Sequence, residues 1–340
     1  MTDKALYVVG VGHSYGDVVL TNDFIESLDI GTTSEWIMEK IGISQRRITL
    51  PLEYIAKERN ENPEKAEEIC SKNWVDLAVE ACNMAFSRAK ISKDLTGLLL
   101  LDCVTPRNFF PPPSHELKRK LGINGLAVDI VTACPAVALH GFFVANLNQE
   151  TLPEVTLSVT SSTVTHAVNY NDRTDGAIWG DGSASMVIVK KSFLKKVRFA
   201  KVLRIVDASF DADTTRANSV VIERRGHFRQ DGRAVRNFSV RQTVRLIRDA
   251  QEKHGLDFSR DIFIGHQANY TMLRQIAEAT NIPENNHWKN VSFCGNQAAA
   301  GALASLSENW ERIRPGQKIL IAVLGAGLSW GTLVLQAEEL

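Results

Sequence analysis

The chain opens on an apolar, β-rich run, Ala5–Val11, which predicts a buried strand. Phe24–Ile41 reads as a helix-rich region carrying Trp36, and Asn60–Glu68 as a solvated loop or helix start. Beyond these a pattern appears twice. Trp74–Ala89 alternates as an amphipathic helix and leads into a strand, Leu98–Cys103. About 163 residues later Ser239–Lys253 leads into Asp261–Gly265 in the same way. Leu126–Val131 predicts a strand that turns at Thr132–Cys134 into an apolar helix, Pro135–Asn148. Its counterpart is a strand at Val291–Phe293, a turn at Cys294–Asn296 and an Ala-rich helix, Gln297–Trp310. Val155–Thr160 and Lys318–Val323 form a further strand pair, and Ser185–Val189 and Gly331–Leu335 close each half.

Strands that alternate with helices imply mostly parallel sheets covered by helices. The helices after Cys134 and Asn296 are apolar nearly all round, so they belong between two layers. The expected architecture is α/β by internal duplication, two similar sheets enclosing a central helix pair. The halves divide as 1–172, with the cysteine, and 173–340, with His266 and Asn296.

Charge and composition narrow the function. Of 340 residues, 39 are Lys or Arg and 39 Asp or Glu, so the chain is formally neutral and a poor general binder of nucleic acid or membrane surfaces. Five cysteines with no C-x-x-C pair argue against a disulfide framework and fit a reducing cytoplasm. The start, MTDKALYVVGVGH, lacks a secretory pattern, and the longest apolar stretch, Ile319–Leu328, is about half a bilayer span. The eight histidines form no H-x-H or H-E-x-x-H pair, so no metal site is expected. Gly10, Gly12 and Gly16 follow a strand with the wrong spacing for a dinucleotide fingerprint.

Candidate chemistry gathers at three turns. Cys134 stands before Pro135, taken as the first helical residue, where the positive helix end favours thiolate. His266 follows the strand DIFIG directly, at the end where open α/β sheets place their sites. Asn296 occupies the duplicated counterpart of the Cys134 turn. Taken singly, these residues are equally a small buried hydrophobe, a core histidine and a helix N-cap.

Together, Cys134 in DIVTACPA, His266 in HQAN and Asn296 in GNQAAAG resemble the Cys-His-Asn set of the ketoacyl-ACP synthase III enzymes of the thiolase superfamily. TTSEWIMEKIGISQRRI, FFPPP, DRTDGAIWGDGSAS and GAGLSWG extend the resemblance along the whole chain. It implies a five-layered αβαβα fold. It also implies acyl loading of Cys134 from acyl-CoA, then decarboxylative Claisen condensation with a malonyl thioester (malonyl-ACP or malonyl-CoA) in fatty-acid or polyketide-type biosynthesis. His266 and Asn296 would donate to the enolate oxygen. The backbone N–H groups of Cys134 and the Gly325–Ala326–Gly327 turn would hold the second oxyanion. Trp36 and Arg173 would sandwich the coenzyme A adenine, and Phe110 would cross a homodimer interface to cap the partner's acyl pocket. No permanently bound cofactor is implied.

Several positions depart from that family. Pro135 replaces the usual Ala or Ser, and Ala326 the middle glycine, which would be strained if that backbone needs positive φ. Leu324, counted with Phe110 in the acyl pocket, replaces a Phe that normally separates the His from the Asn, leaving room for a different second substrate. Thr271, Glu278 and Ala279 stand where the family carries cations that dock its acidic carrier. Instead Arg224, Arg225, Arg229, Arg233 and Arg236 form a basic run opposed by Asp231 alone. Either a carrier docks there, or the partner is coenzyme A or another acceptor. Two alternatives stay open: an acyltransferase of the same fold that passes its acyl group to a hydroxyl, amine or thiol without condensation, and a non-catalytic subunit.

Overall fold

A computed structural model describes residues 5–108, 110–223 and 226–339. Nine strands form its main sheet: β1 (Leu6–Tyr15), β2 (Leu98–Cys103), β3 (Leu126–Asp129), β4 (Val155–Ser162), β5 (Gly182–Lys190), β6 (Leu203–Ala212), β7 (Ile262–Gly265), β8 (Lys318–Gly325) and β9 (Ser329–Ala337). Their order is β7-β8-β9-β6-β1-β5-β4-β2-β3. The sheet is two copies of one motif joined where Tyr7 and Val8 of β1 meet Arg204 and Leu203 of β6. In the first copy β3, β2 and β4 are parallel while β5 and β1 are antiparallel. In the second, β7 and β8 are parallel, and β9 and β6 antiparallel.

The duplication read from the sequence is therefore present, with two corrections. The counterpart of β3 is not a strand at Val291–Phe293. That segment is a one-turn helix, Val291–Cys294, and a single parallel bridge from Phe263 to His287 takes the strand's place. The junction between halves also moves. β5 pairs with β4 and β1, so the first half runs through Lys190 rather than ending at 172.

Helices complete five layers. Outside the first half lie α1 (Trp74–Ala89) and α2 (Pro113–Leu121). The central layer holds α3 (Ala136–Asn146) and α6 (Ala300–Glu308); outside the second half lie α4 (Gly232–His254) and α5 (Tyr270–Thr280). α1 starts at a capping box, Asn73 with Asp76, and its Ala-rich face lies directly on β1. That approach requires glycine: a Cβ at Gly12 would lie 2.0 Å from the Ala81 carbonyl oxygen. The central helices cross over. α3 packs mainly on β6 and β9 of the second half, and α6 mainly on β5 and β1 of the first. Ala300–Ser307 is buried throughout, as an all-round apolar helix demands.

Elsewhere Asn60, expected in a solvated stretch, is fully buried, and its amide donates to the carbonyls of Thr165, His166 and Val168. The segment continues as a helix, Pro63–Ile69. All five cysteines are free. No helix among the described residues is long and apolar enough to cross a membrane.

Candidate active site

The Cys134 and His266 turns follow the parallel strands β3 and β7, the Asn296 turn follows the one-turn helix Val291–Cys294, and backbone contacts tie them together. Cys134 follows β3, and Gly325 ends β8 against it. A Cβ on Gly325 would fall 2.8 Å from Cys134 Cβ and 2.7 Å from Pro135 Cδ. Only glycine lets the Gly325–Gly327 turn lie this close to the thiol. His266, directly after β7, donates its backbone N–H to Ala322 of β8 at 3.0 Å, three residues before Gly325. Gln267 beside it is fully buried. Its Oε1 accepts the N–H groups of Asn290 (2.9 Å) and Val291 (3.3 Å), and its Cβ would lie 2.8 Å from a Cβ at Gly301. Gln267 thus fixes the segment leading to Asn296 relative to His266.

Asn296 is clamped from the other side. Its N–H donates to the Ile178 carbonyl at 2.9 Å, and its carbonyl accepts from Gly180 at 3.0 Å. α6 begins only at Ala300, so Asn296 is not the helix cap. Its Oδ1 accepts the Ala298 N–H at 3.0 Å, which turns the side chain locally and leaves the amide nitrogen without a hydrogen bond among the described residues. Below this clamp Asp181 accepts from Thr49 and Thr165 through both backbone and side chain.

The electrostatics correct one expectation. The helix end does not leave Cys134 as a thiolate. Burial, with the Asp102 carboxylate second, pushes its thiol up to about 12. Pro135 is the cap of α3 rather than its first helical residue, and helical geometry begins at Ala136. Burial lowers His266 to about 4, so the imidazole is neutral near pH 7 and can act only through its donor tautomer. Its Nδ1 is sealed without a partner among the described residues.

The glycine turn resolves the doubt about Ala326. Positive φ falls on Gly327, at +125°, and not on Ala326. Leu324 is buried at the end of β8. Immediately before Cys134, Ala133 adopts φ +60°, which costs an alanine about 1–2 kcal/mol. Its N–H and that of Thr132 both donate to Asp102 Oδ2, at 3.0 and 2.7 Å. Sequence reasoning missed Asp102 and Gln267. The signal for Asp102 was a lone carboxyl at the end of the apolar run Leu98–Leu101; Gln267 lay inside the HQAN motif.

Peripheral candidates fall as follows. The Arg173 guanidinium stacks 5.1 Å from the Trp36 ring centre and donates to the Gly31 carbonyl. Phe110 is 83% exposed. Of the basic run, Arg224 and Arg225 lie outside the described residues. Arg229 is ion-paired with Glu223, so Asp231 is not the run's only counter-charge. Arg233 and Arg236 are exposed on the first turns of α4, which carries further exposed arginines at Arg241, Arg245 and Arg248, Arg245 paired with Asp249. Thr271 is buried and bonded to the Lys40 carbonyl, while Glu278 pairs with Arg274.

Cys134, a neutral His266 and Asn296 thus stand on neighbouring turns of a duplicated fold. Comparison with known proteins bears on the fold and the family. Residues 253–337 match the family described as 3-oxoacyl-[acyl-carrier-protein (ACP)] synthase III C terminal. A beta-ketoacyl-[acyl-carrier-protein] synthase III from Oleidesulfovibrio alaskensis is 25% identical across 99% of this chain and 100% of its own. The 3-oxoacyl-(acyl carrier protein) synthase III of Pseudomonas aeruginosa superposes with a TM-score of 0.83 at 23% identity, over 99% of both chains. The priming β-ketosynthase of the R1128 polyketide pathway superposes at 0.78 and 22%, over 98% of this chain and 95% of its own. Along its whole length the chain is thus similar to ketoacyl-ACP synthase III enzymes, and its C-terminal quarter matches their family.

Proposed function

We propose that the protein takes an acyl group from an acyl-CoA onto Cys134 and condenses it with a malonyl thioester. The carrying observation is the contact of the Gly325 turn with Cys134, which sets backbone donors beside the thiol that precedes the central helix α3. In acylation the Cys134 proton leaves with the coenzyme thiol as the acyl carbon passes from one sulfur to the other. The raised thiol suits a direct exchange of this kind, with no standing thiolate. In condensation the malonyl carboxyl leaves as CO₂ and its bonding pair becomes an enolate. The neutral His266 ring and the Asn296 amide donate to the enolate oxygen. The carbanion attacks the acyl carbonyl, the C–S bond breaks to release the Cys134 thiolate, and the thiolate takes a proton from water.

Trp36 and Arg173 receive the adenine between them. Phe110 and Leu324 belong to the acyl pocket of a homodimer. The edge strand β3, with Leu126 and Val128 exposed and one edge unpaired among the described residues, meets its own copy. The exposed arginines of α4 take an acidic carrier. Intact-mass measurement after exposure to acyl-CoAs, followed by a malonyl donor, tests the reading. An adduct lost in Cys134→Ala, with CO₂ and a β-keto product from the wild type, is expected. An adduct that persists in Cys134→Ala overturns it. Acyl transfer that needs no malonyl donor replaces condensation with plain transfer.

A further inference from the structure

We propose that Asp102 is a positioning residue for the nucleophile: it seats the turn that carries Cys134 and ties the reactivity of that thiol to its own charge. The inference rests on the assignment of Cys134 as the acyl acceptor. Two successive N–H groups, Thr132 and Ala133, point at one carboxylate oxygen at 2.7 and 3.0 Å. Converging backbone donors of this kind form a concave seat for an anion, and the left-handed Ala133 closes it. Cys134 is the next residue. The seat and the thiol therefore move as one unit, and the carboxylate is the group that fills the seat.

The other oxygen, Oδ1, is buried and has no partner among the described residues. A carboxylate needs acceptor sites filled, and a carboxylic acid needs only a place for one proton. Asp102 is fully buried, so the two states lie close in energy. Burial pushes its carboxyl up to about 7, against the pull of the two N–H groups. Among the described residues no cation acts on it. Cys103 follows on the same strand, with its thiol raised well above the ordinary value by burial. Asp129 ends β3 and is held by Ser114. β4 offers only hydroxyl and apolar side chains. α3 adds His140, lowered to about 4 by burial and hence neutral, and Glu67 acts on Cys103 from the helix Pro63–Ile69. The negative charge of Asp102 therefore acts on Cys134 uncompensated, and it raises the thiol.

As pH rises, the thiolate fraction of an isolated thiol grows tenfold per unit. Here Asp102 ionises on the way, and its charge holds the Cys134 proton more firmly. The profile must flatten where Asp102 titrates and then resume.

The test is the rate of Cys134 alkylation by iodoacetamide between about pH 5 and about pH 10, with the adduct located by peptide mass and the melting temperature recorded. The wild type should show a plateau near pH 7. Asp102→Asn keeps an oxygen for the two N–H groups and removes the charge. It should lose the plateau and react faster above it, by roughly tenfold for each unit the thiol falls. Asp102→Ser, too short to fill the seat, should slow acyl loading at every pH. A plateau-free wild type overturns the proposal even if no variant folds, as does an Asn profile that superimposes on the wild type. Acyl loading from acyl-CoA is read on the same wild-type protein. A plateau without acyl loading at Cys134 overturns the catalytic assignment and leaves the charge linkage standing.

Discussion

The guanidinium of Arg173 rests on the indole of Trp36, 5.1 Å from the ring centre, although the two residues are far apart in the chain. A cation on an aromatic face is worth about 1 kcal/mol at such an exposed site, so a flat, electron-rich ring can enter between them at small cost. Trp36→Ala should raise the KM for acyl-CoA about fivefold and leave kcat for loading nearly unchanged. An acyl-pantetheine donor, which has no adenine, should be insensitive to the change. Equal effects on both donors would place Trp36 in the fold and not in coenzyme binding.

Gly325 carries a steric demand that a single methyl tests. Its Cβ would meet Pro135 and Cys134 at 2.7 and 2.8 Å, well inside any real contact. Gly325→Ala should displace the donors of the turn and slow adduct formation by about 10² or more. Stopped-flow mass analysis of loading checks this, and wild-type loading would show that the turn plays no part.

His266 and Asn296 should divide from Cys134 by half reaction. His266→Ala and Asn296→Ala should still acquire the acyl mass but lose CO₂ release from the malonyl donor by about 10²–10³. Because burial holds the imidazole near 4, the condensation rate should show no His266 step between about pH 6 and about pH 8. A ring signal that titrates in that window by NMR would contradict the neutral form.

At the open edge of the sheet, Leu126 is 69% exposed on a strand with no outer neighbour among the described residues. An apolar, unpaired edge invites a second strand. Leu126→Arg should shift the mass seen by light scattering from dimer to monomer while the melting curve stays cooperative. A wild type that is already monomeric removes this interface.

Arg233, Arg236 and Arg241 face solvent along α4. If an acidic carrier delivers the malonyl group, charge reversal of Arg236 and Arg241 to Glu should slow carrier-dependent condensation severalfold at low salt and leave loading from acyl-CoA intact. The difference should shrink as salt rises. Loss with both donors would assign the arginines to coenzyme phosphates or to the fold.

Most of the layer order was legible in the sequence because buried elements carry strong periodicity. Trp74–Ala89 and Leu98–Cys103 match their expected bounds, and the all-round apolar helices fall in the central layer. Val291–Phe293 was misread because two apolar residues around Ser292 fit a strand or a helical turn equally well, and hydrogen bonds accepted by the Gln267 side chain decide between them. The positions of Cys134, His266 and Asn296 at turns could be read locally. Their electrostatics could not, because burial and Asp102, 32 positions upstream of the thiol, outweigh the helix end that local reasoning invoked.

The exchange of central helices has a consequence for how the chain must fold. Each half lends its most apolar helix to the other half's sheet, so a fragment ending near Lys190 would present the bare inner face of β1 and β5 with α3 unmatched beside it. Neither repeat has a finished interior by itself. The duplication therefore behaves as one cooperative unit, and a ribosome must release most of the second repeat before the first can close.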